Sequence, residues 1–216
     1  MDAGLSGIVH IALSKDALAM EFSWIAVGIL LITSVGLLLS RDWRASLILL
    51  AMQYLAIFWL VSRHWPLGMA TIKLVAGWMS AAALGMTHLS LFDPEKNFEQ
   101  TRPRGGLFHL FTAGIVALIV AAETSRVDTI IGSAGLPVTT GGLLLIGMGL
   151  LHLGITSEIL RVTLGLMTVL AGFEILYAVV EGSLLVAALL VAINLGLALV
   201  GSYLLIASWE REIKSV

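Results

Sequence analysis

Lys73 stands alone in an apolar run from Pro66 to Leu91, and Glu174 is the one comparable acid inside another such run. A charged side chain at membrane depth costs about 2.5 kcal/mol or more unless something compensates it, so each is a candidate for function. Lys73 falls about seven residues into its run, and Glu174 about six residues from the far end of its own. At 1.5 Å of rise per residue the depths are roughly 10 Å and roughly 9 Å. Were the two to meet, opposite charge would favour both ionised forms while burial favoured both neutral ones. A pair so balanced can exchange a proton, which is the chemistry of intramembrane relays. The competing reading is a structural ion pair that fixes helix register, with Lys73 snorkelling towards the nearer interface.

Other polar residues extend the candidate path. Gln53 and Asn194 fall near mid-depth, where amides either join helices by hydrogen bonds or line a short water path. His88, His109 and His152 gather towards the opposite face. Histidine there can pass protons, sit as an ordinary interfacial residue or ligate haem, although no spacing here demands two rings facing each other. Glu123, Asp128 and Glu181 fall at the outer edge and read as solvated. No nucleophile, metal-ligand cluster or nucleotide loop is visible.

These residues need elements to hold them, and the composition says which. The chain of 216 residues is 59% hydrophobic and only 12% charged, about half the charge of a soluble domain. The apolar residues come in stretches of about twenty, the length that crosses a hydrocarbon core. Such spans must be helices, because lipid offers nothing to an unpaired backbone group. The expectation is an all-α polytopic bundle of seven spans: Phe22–Ser40, Arg44–Ser62, Pro66–Leu91, Leu107–Ala122, Thr139–Thr156, Leu160–Val180 and Gly182–Ser208. The fourth and fifth are the shortest. Pro66, Pro94, Pro103 and Pro137 all fall at or outside span ends, where a missing donor does least harm. Residues 1–21 form a partly amphipathic lead-in that lacks the marks of a signal peptide. A net charge of −2 gives no support to nucleic-acid binding. The absence of cysteine removes disulfides, thiolate-held clusters and a cysteine nucleophile from this chain.

Basic residues predict the orientation. With the N-terminus outside a cytoplasmic membrane, Arg41, Arg44, Lys96, Arg102, Arg104, Arg161, Arg211 and Lys214 lie inside, and only Lys15, Arg63 and Arg126 lie outside. Trp24, Trp43, Trp59, Trp65 and Trp209 fall near span ends, as interfacial anchors do. Trp78 is the interior exception. Gly142, Gly147, Gly149 and Gly154 crowd the fifth span and predict close packing against other helices.

Arg44-Ala-Ser-Leu-Ile-Leu-Leu-Ala and Arg161-Val-Thr-Leu-Gly-Leu-Met-Thr each follow one span and a tight polar turn, and each opens the next span. Residues 22–91 and 139–208 thus read as two three-helix units in parallel orientation. Residues 92–138 join them through an inner loop, a connecting helix and an outer loop, and residues 209–216 form an inner tail.

The stretches Ser157-Glu-Ile-Leu-Arg-Val-Thr-Leu-Gly-Leu-Met and Glu181-Gly-Ser-Leu-Leu-Val-Ala-Ala-Leu-Leu-Val-Ala-Ile-Asn resemble the three-helix K subunit of respiratory complex I. That unit recurs in Mrp-type antiporters and group 4 membrane-bound hydrogenases. The first half, with Met69-Ala-Thr-Ile-Lys-Leu-Val, is similar to component E of hydrogenase-4. The resemblance covers Phe22 to Ser208. It implies a non-catalytic subunit among antiporter-like and other membrane-arm partners, with quinone or redox centres in those partners and no cofactor in this chain. Lys73 matches the component-E lysine. Where the K-subunit pattern carries glutamate in its second and third helices, this chain has Met167 and, near the second position, Ala192. Glu174 stands two turns beyond the first. A purely structural or assembly subunit and a stand-alone small transporter are the alternative readings.

Overall fold

A computed structural model describes residues 2–40, 42–91, 106–132 and 134–214. Among these residues there are seven helices and no strand: α1 (Asp2–Leu39), α2 (Trp43–Val61), α3 (Leu67–Leu91), α4 (Gly106–Ile131), α5 (Leu136–Ile155), α6 (Ile159–Val180) and α7 (Leu184–Lys214). All seven are long and apolar enough to cross a membrane, so the chain has the make-up of a multi-pass membrane protein. Arg41, Lys96, Arg102, Arg104, Pro94 and Pro103, used above for orientation and for span ends, lie outside the described residues.

Local chemistry sets the helix ends. The Asp42 carboxylate accepts the Arg44 backbone N–H at 3.0 Å and caps α2. Pro66 closes the turn before α3, its carbonyl accepting from the backbone of Met69 and Ala70. Gly132 and Gly135 take positive φ in the α4–α5 turn, a conformation that L side chains rarely adopt, and Pro137 follows in the first turn of α5. The C-terminal carbonyls of α1 find a distant partner: Arg161 Nη2 donates to Ser40 at 2.7 Å and to Leu38 at 3.1 Å. A cation on orphan carbonyls at a helix C-terminus is favourable both as a cap and against the helix dipole.

Two expectations need correction. The fourth span is among the longest, 26 residues, and α2 with 19 is the shortest. Residues 123–131 belong to a helix that simply continues past its apolar section, with Glu123, Ser125 and Arg126 facing outward. Nor is Asp128 merely solvated, because it accepts a 2.7 Å hydrogen bond from the fully buried Thr139 and ties α4 to the start of α5. At the other end, α7 runs beyond Ser208 to Lys214.

The helices pack in three rows of two. α1 lies beside α5, α2 beside α6, and α3 beside α7, while α1, α2 and α3 follow one another down one column and α5, α6 and α7 down the other. α4 rests on the outside of α5 with most of its length exposed. The tightest joint is α5 against α6, where glycines meet in antiparallel register. A Cβ on Gly172 would stand 2.6 Å from the Gly142 carbonyl oxygen, and one on Gly149 would stand 2.8 Å from the Val169 backbone nitrogen and 3.0 Å from the Gly165 carbonyl oxygen. Backbone helps to block both sites, with the Val169 side chain nearer still at Gly149. Small residues at this seam let the two helices touch along their length, and they fix the height of Glu174, two residues beyond Gly172.

Gly172→Ala and Gly149→Ala are each expected to destabilise the bundle by about 1–3 kcal/mol, the usual cost of overpacking. Gly154→Ala, whose Cβ would enter open space, should be neutral or slightly stabilising. Detergent-denaturant unfolding of purified protein reads all three, and equal stability of the three variants would mean that the seam is loose.

Candidate functional site

α2, α3, α7 and α6 close a ring in which each helix packs on the next. α3 and α6 face each other across one diagonal of the ring, and α2 and α7 across the other. Apolar side chains line most of the interior, but each diagonal is bridged by a polar pair. Lys73 Nζ on α3 pairs with Glu174 Oε1 on α6, the ammonium 4% exposed and the carboxylate fully buried. On the other diagonal the Tyr54 hydroxyl donates to Asn194 Oδ1 at 2.8 Å, with both residues buried. Tyr54 is close enough to Glu174 to feel its charge, so the two bridges form one electrostatic unit.

Each bridge has its place made for it. Tyr54 lies flat on α3 at Gly77, where any Cβ would overlap its ring. Trp78, the interior tryptophan, faces away from the pair with its ring partly exposed. It spends its indole N–H on the Ala51 carbonyl at 3.1 Å, joining α3 to α2 one helical turn from Tyr54. The depths inferred from residue count thus carry Lys73 and Glu174 into contact, although their helices do not pack side by side. Only the length of the lysine and glutamate side chains spans the ring.

The remaining candidates divide. Asn194 joins helices, as an amide at mid-depth is expected to. Gln53 does not: both atoms of its amide are fully buried and, among the described residues, have no hydrogen-bond partner, and the Ser80 hydroxyl on α3 is likewise buried without one. His88 stacks on Trp43 with ring centroids 4.7 Å apart. His152, buried at the end of α5, lies within electrostatic range of Arg161 and His109. His88 and His152 thus sit in different surroundings. Among the described residues no three of His, Cys, Asp and Glu come together as a metal-holding group. Met167, where the K-subunit pattern has glutamate, is fully buried core, and Ala192 is exposed.

Tyr54 is the site residue that sequence reasoning missed. Its signal was present, a phenol beside Gln53 in the middle of an apolar span, but tyrosine passes as apolar in a hydropathy profile. Arg161 was counted for its charge, not for the helix end that it caps. Trp65 was assigned to the interface as an anchor. It is instead 4% exposed, and its indole donates to the Glu181 carbonyl at 3.0 Å.

Breaking a buried pair by removing one partner costs more than removing both. Lys73→Met and Glu174→Met are each expected to destabilise by about 3–5 kcal/mol, and the double variant by much less. Tyr54→Phe should cost about 0.6 kcal/mol, the typical worth of an interhelical hydrogen bond in a membrane protein. A double-mutant cycle on unfolding free energy checks the pair, and strictly additive single losses would show that the two side chains are uncoupled. Comparison with known proteins adds no identity to this geometry: no family model, no curated protein and no solved structure matches the chain.

Proposed function

We propose that this chain is a non-catalytic membrane subunit of an ion-translocating assembly of the complex I-like, group 4 hydrogenase-like or Mrp-like kind. In that assembly the Lys73–Glu174 pair would carry a proton. The observation behind the reading is the crossed arrangement at the ring's centre: an ion pair in an apolar interior, coupled to a phenol–amide bridge, with unpartnered buried groups nearby. An ion pair kept only for stability would be replaceable by apolar residues at little cost. A proton carrier needs two sites of similar affinity at close range, and an ammonium–carboxylate pair in a dry interior supplies them.

The chemistry is a shared proton. With Lys73 protonated and Glu174 ionised, the pair is neutral overall. Transfer of one proton from Nζ to the carboxylate leaves an amine and a carboxylic acid, also neutral overall, and the lysine free to accept another proton. A charge arriving in a neighbouring subunit would tip that balance, so protons would advance without any redox centre in this chain. Tyr54, within range of Glu174 and bound to Asn194, would carry the tipping charge towards α7. The resemblance in helix order and the Met69–Lys73–Val75 segment support the same assembly. The distribution of basic residues supports an orientation with the N-terminus outside and the C-terminus inside a cytoplasmic membrane.

Two measurements test the reading. Purification in mild detergent through a C-terminal tag is expected to bring antiporter-like and other membrane-arm subunits at fixed stoichiometry. Proton or cation uptake by vesicles containing that assembly should then fall at least tenfold with Lys73→Met while subunit composition stays unchanged. Recovery of a clean monomer or homodimer would overturn the assembly, and undiminished uptake in the variant would remove Lys73 from the path.

A further inference from the structure

We propose that a small chamber between the first turns of α3 and α7 is the port through which Lys73 exchanges protons with water, and that the Trp65 indole is its plug. The inference deepens the proton-carrying reading of Lys73 and rests on it. The chamber has a volume of about 40 Å³ and is lined by Trp65, Met69, Ile72, Lys73, Ala187 and Val191, among others. Roughly 10–15 Å³ of space for a water's centre is enough to hold one molecule, so the chamber admits water. It reaches the ion pair from the side away from Glu174's own helix.

The donor count calls for an occupant there. An ammonium has three N–H donors. Glu174 engages Lys73, and among the described residues nothing else accepts from Nζ. The other lining side chains are apolar apart from the indole, and that N–H is already spent on the Glu181 carbonyl at 3.0 Å. Nζ itself is buried behind the chamber wall, and a water admitted there as the indole moves would meet the unspent lysine donors.

Trp65 is placed to govern entry. It sits in the short link before α3, and the Glu181 carbonyl to which it bonds sits in the link before α7. The bond therefore joins the two loops at the same end of the two helices between which the chamber lies. Core packing and one hydrogen bond hold the ring in place. On the lipid side, Ile72 and Val191 are shared with a wider apolar groove of about 450 Å³ along α3 and α7, so these two side chains divide the chamber from acyl chains. The step is a plain proton transfer: lysine ammonium plus water gives lysine amine plus hydronium, which leaves past the displaced indole. The reverse step reloads the amine.

The chain contains no cysteine, so Ala187→Cys installs one thiol in the chamber wall. The assembly is kept in membrane vesicles of both orientations and treated with a membrane-impermeant methanethiosulfonate. Slow reaction is expected from the Trp65 side only. The rate should rise at least tenfold in a Trp65→Ala background and by an intermediate factor with Trp65→Phe, which keeps a ring but loses the hydrogen bond. Ala188→Cys, a second lining position, serves if Ala187→Cys fails to assemble.

No reaction from the Trp65 side in any background would overturn the port. So would a thiol reached only by a lipid-soluble maleimide, which would place acyl chains in the chamber. Equal rates with and without Trp65 would overturn the plug. Labelling reports access and does not depend on translocation. The expected labelling pattern together with undiminished uptake in Lys73→Met would leave the port standing and sink only the proton-carrying reading.

Discussion

A lysine and a glutamate placed in an apolar interior must find each other or lose their charges, and much of this bundle is arranged so that they do. Their helices stand on opposite corners of a four-helix ring, and neither backbone approaches the other closely. The ion pair therefore acts as a strut across the ring, and the tyrosine–asparagine bond braces the second diagonal. Because Tyr54 lies within the field of Glu174, the two struts are not independent. A change in the charge of Glu174 is felt at Tyr54. Low dielectric makes that coupling strong, and it makes any unpaired member of the set costly.

Surrounding devices hold the strut at its height. The glycine seam locks α6 to α5 backbone against backbone, so Glu174 has little freedom to slide. On the other side, Gly77 lets the Tyr54 ring lie on α3 close below Lys73, and Trp78 clasps α3 to α2. α4 belongs to neither device. It contributes an outer rib, tied through Asp128 and Thr139 to the turn where α5 begins.

What was legible in the sequence follows the same physics. Lipid forbids an unpaired backbone, so the spans declared themselves by length and apolarity, and their order and count emerged correctly. Lys73 and Glu174 were legible because a charge in such a run is expensive, and depth alone put them at one level. The rest was hidden where apolar appearance and polar role coincide. Tyr54 buries a ring and spends one hydroxyl, so composition masks its bridge. α4 was cut short because Glu123 and Asp128 resemble a loop to anyone counting apolar residues, although a helix can carry charges once it has cleared the hydrocarbon. Gln53 differs, since an amide at mid-depth suggests either a helix-joining bond or a water path, and among the described residues it makes no such bond. Which helices are neighbours was not legible at all. Apolar faces that meet lipid and faces that meet protein draw on the same residues.

The hold of Arg161 on the end of α1 bears on biogenesis. Ser40 is synthesised more than a hundred residues before the guanidinium that receives its carbonyl. In order of synthesis the end of α1 therefore waits for α6 to supply its cap, which ties the first helix of the bundle to one made late.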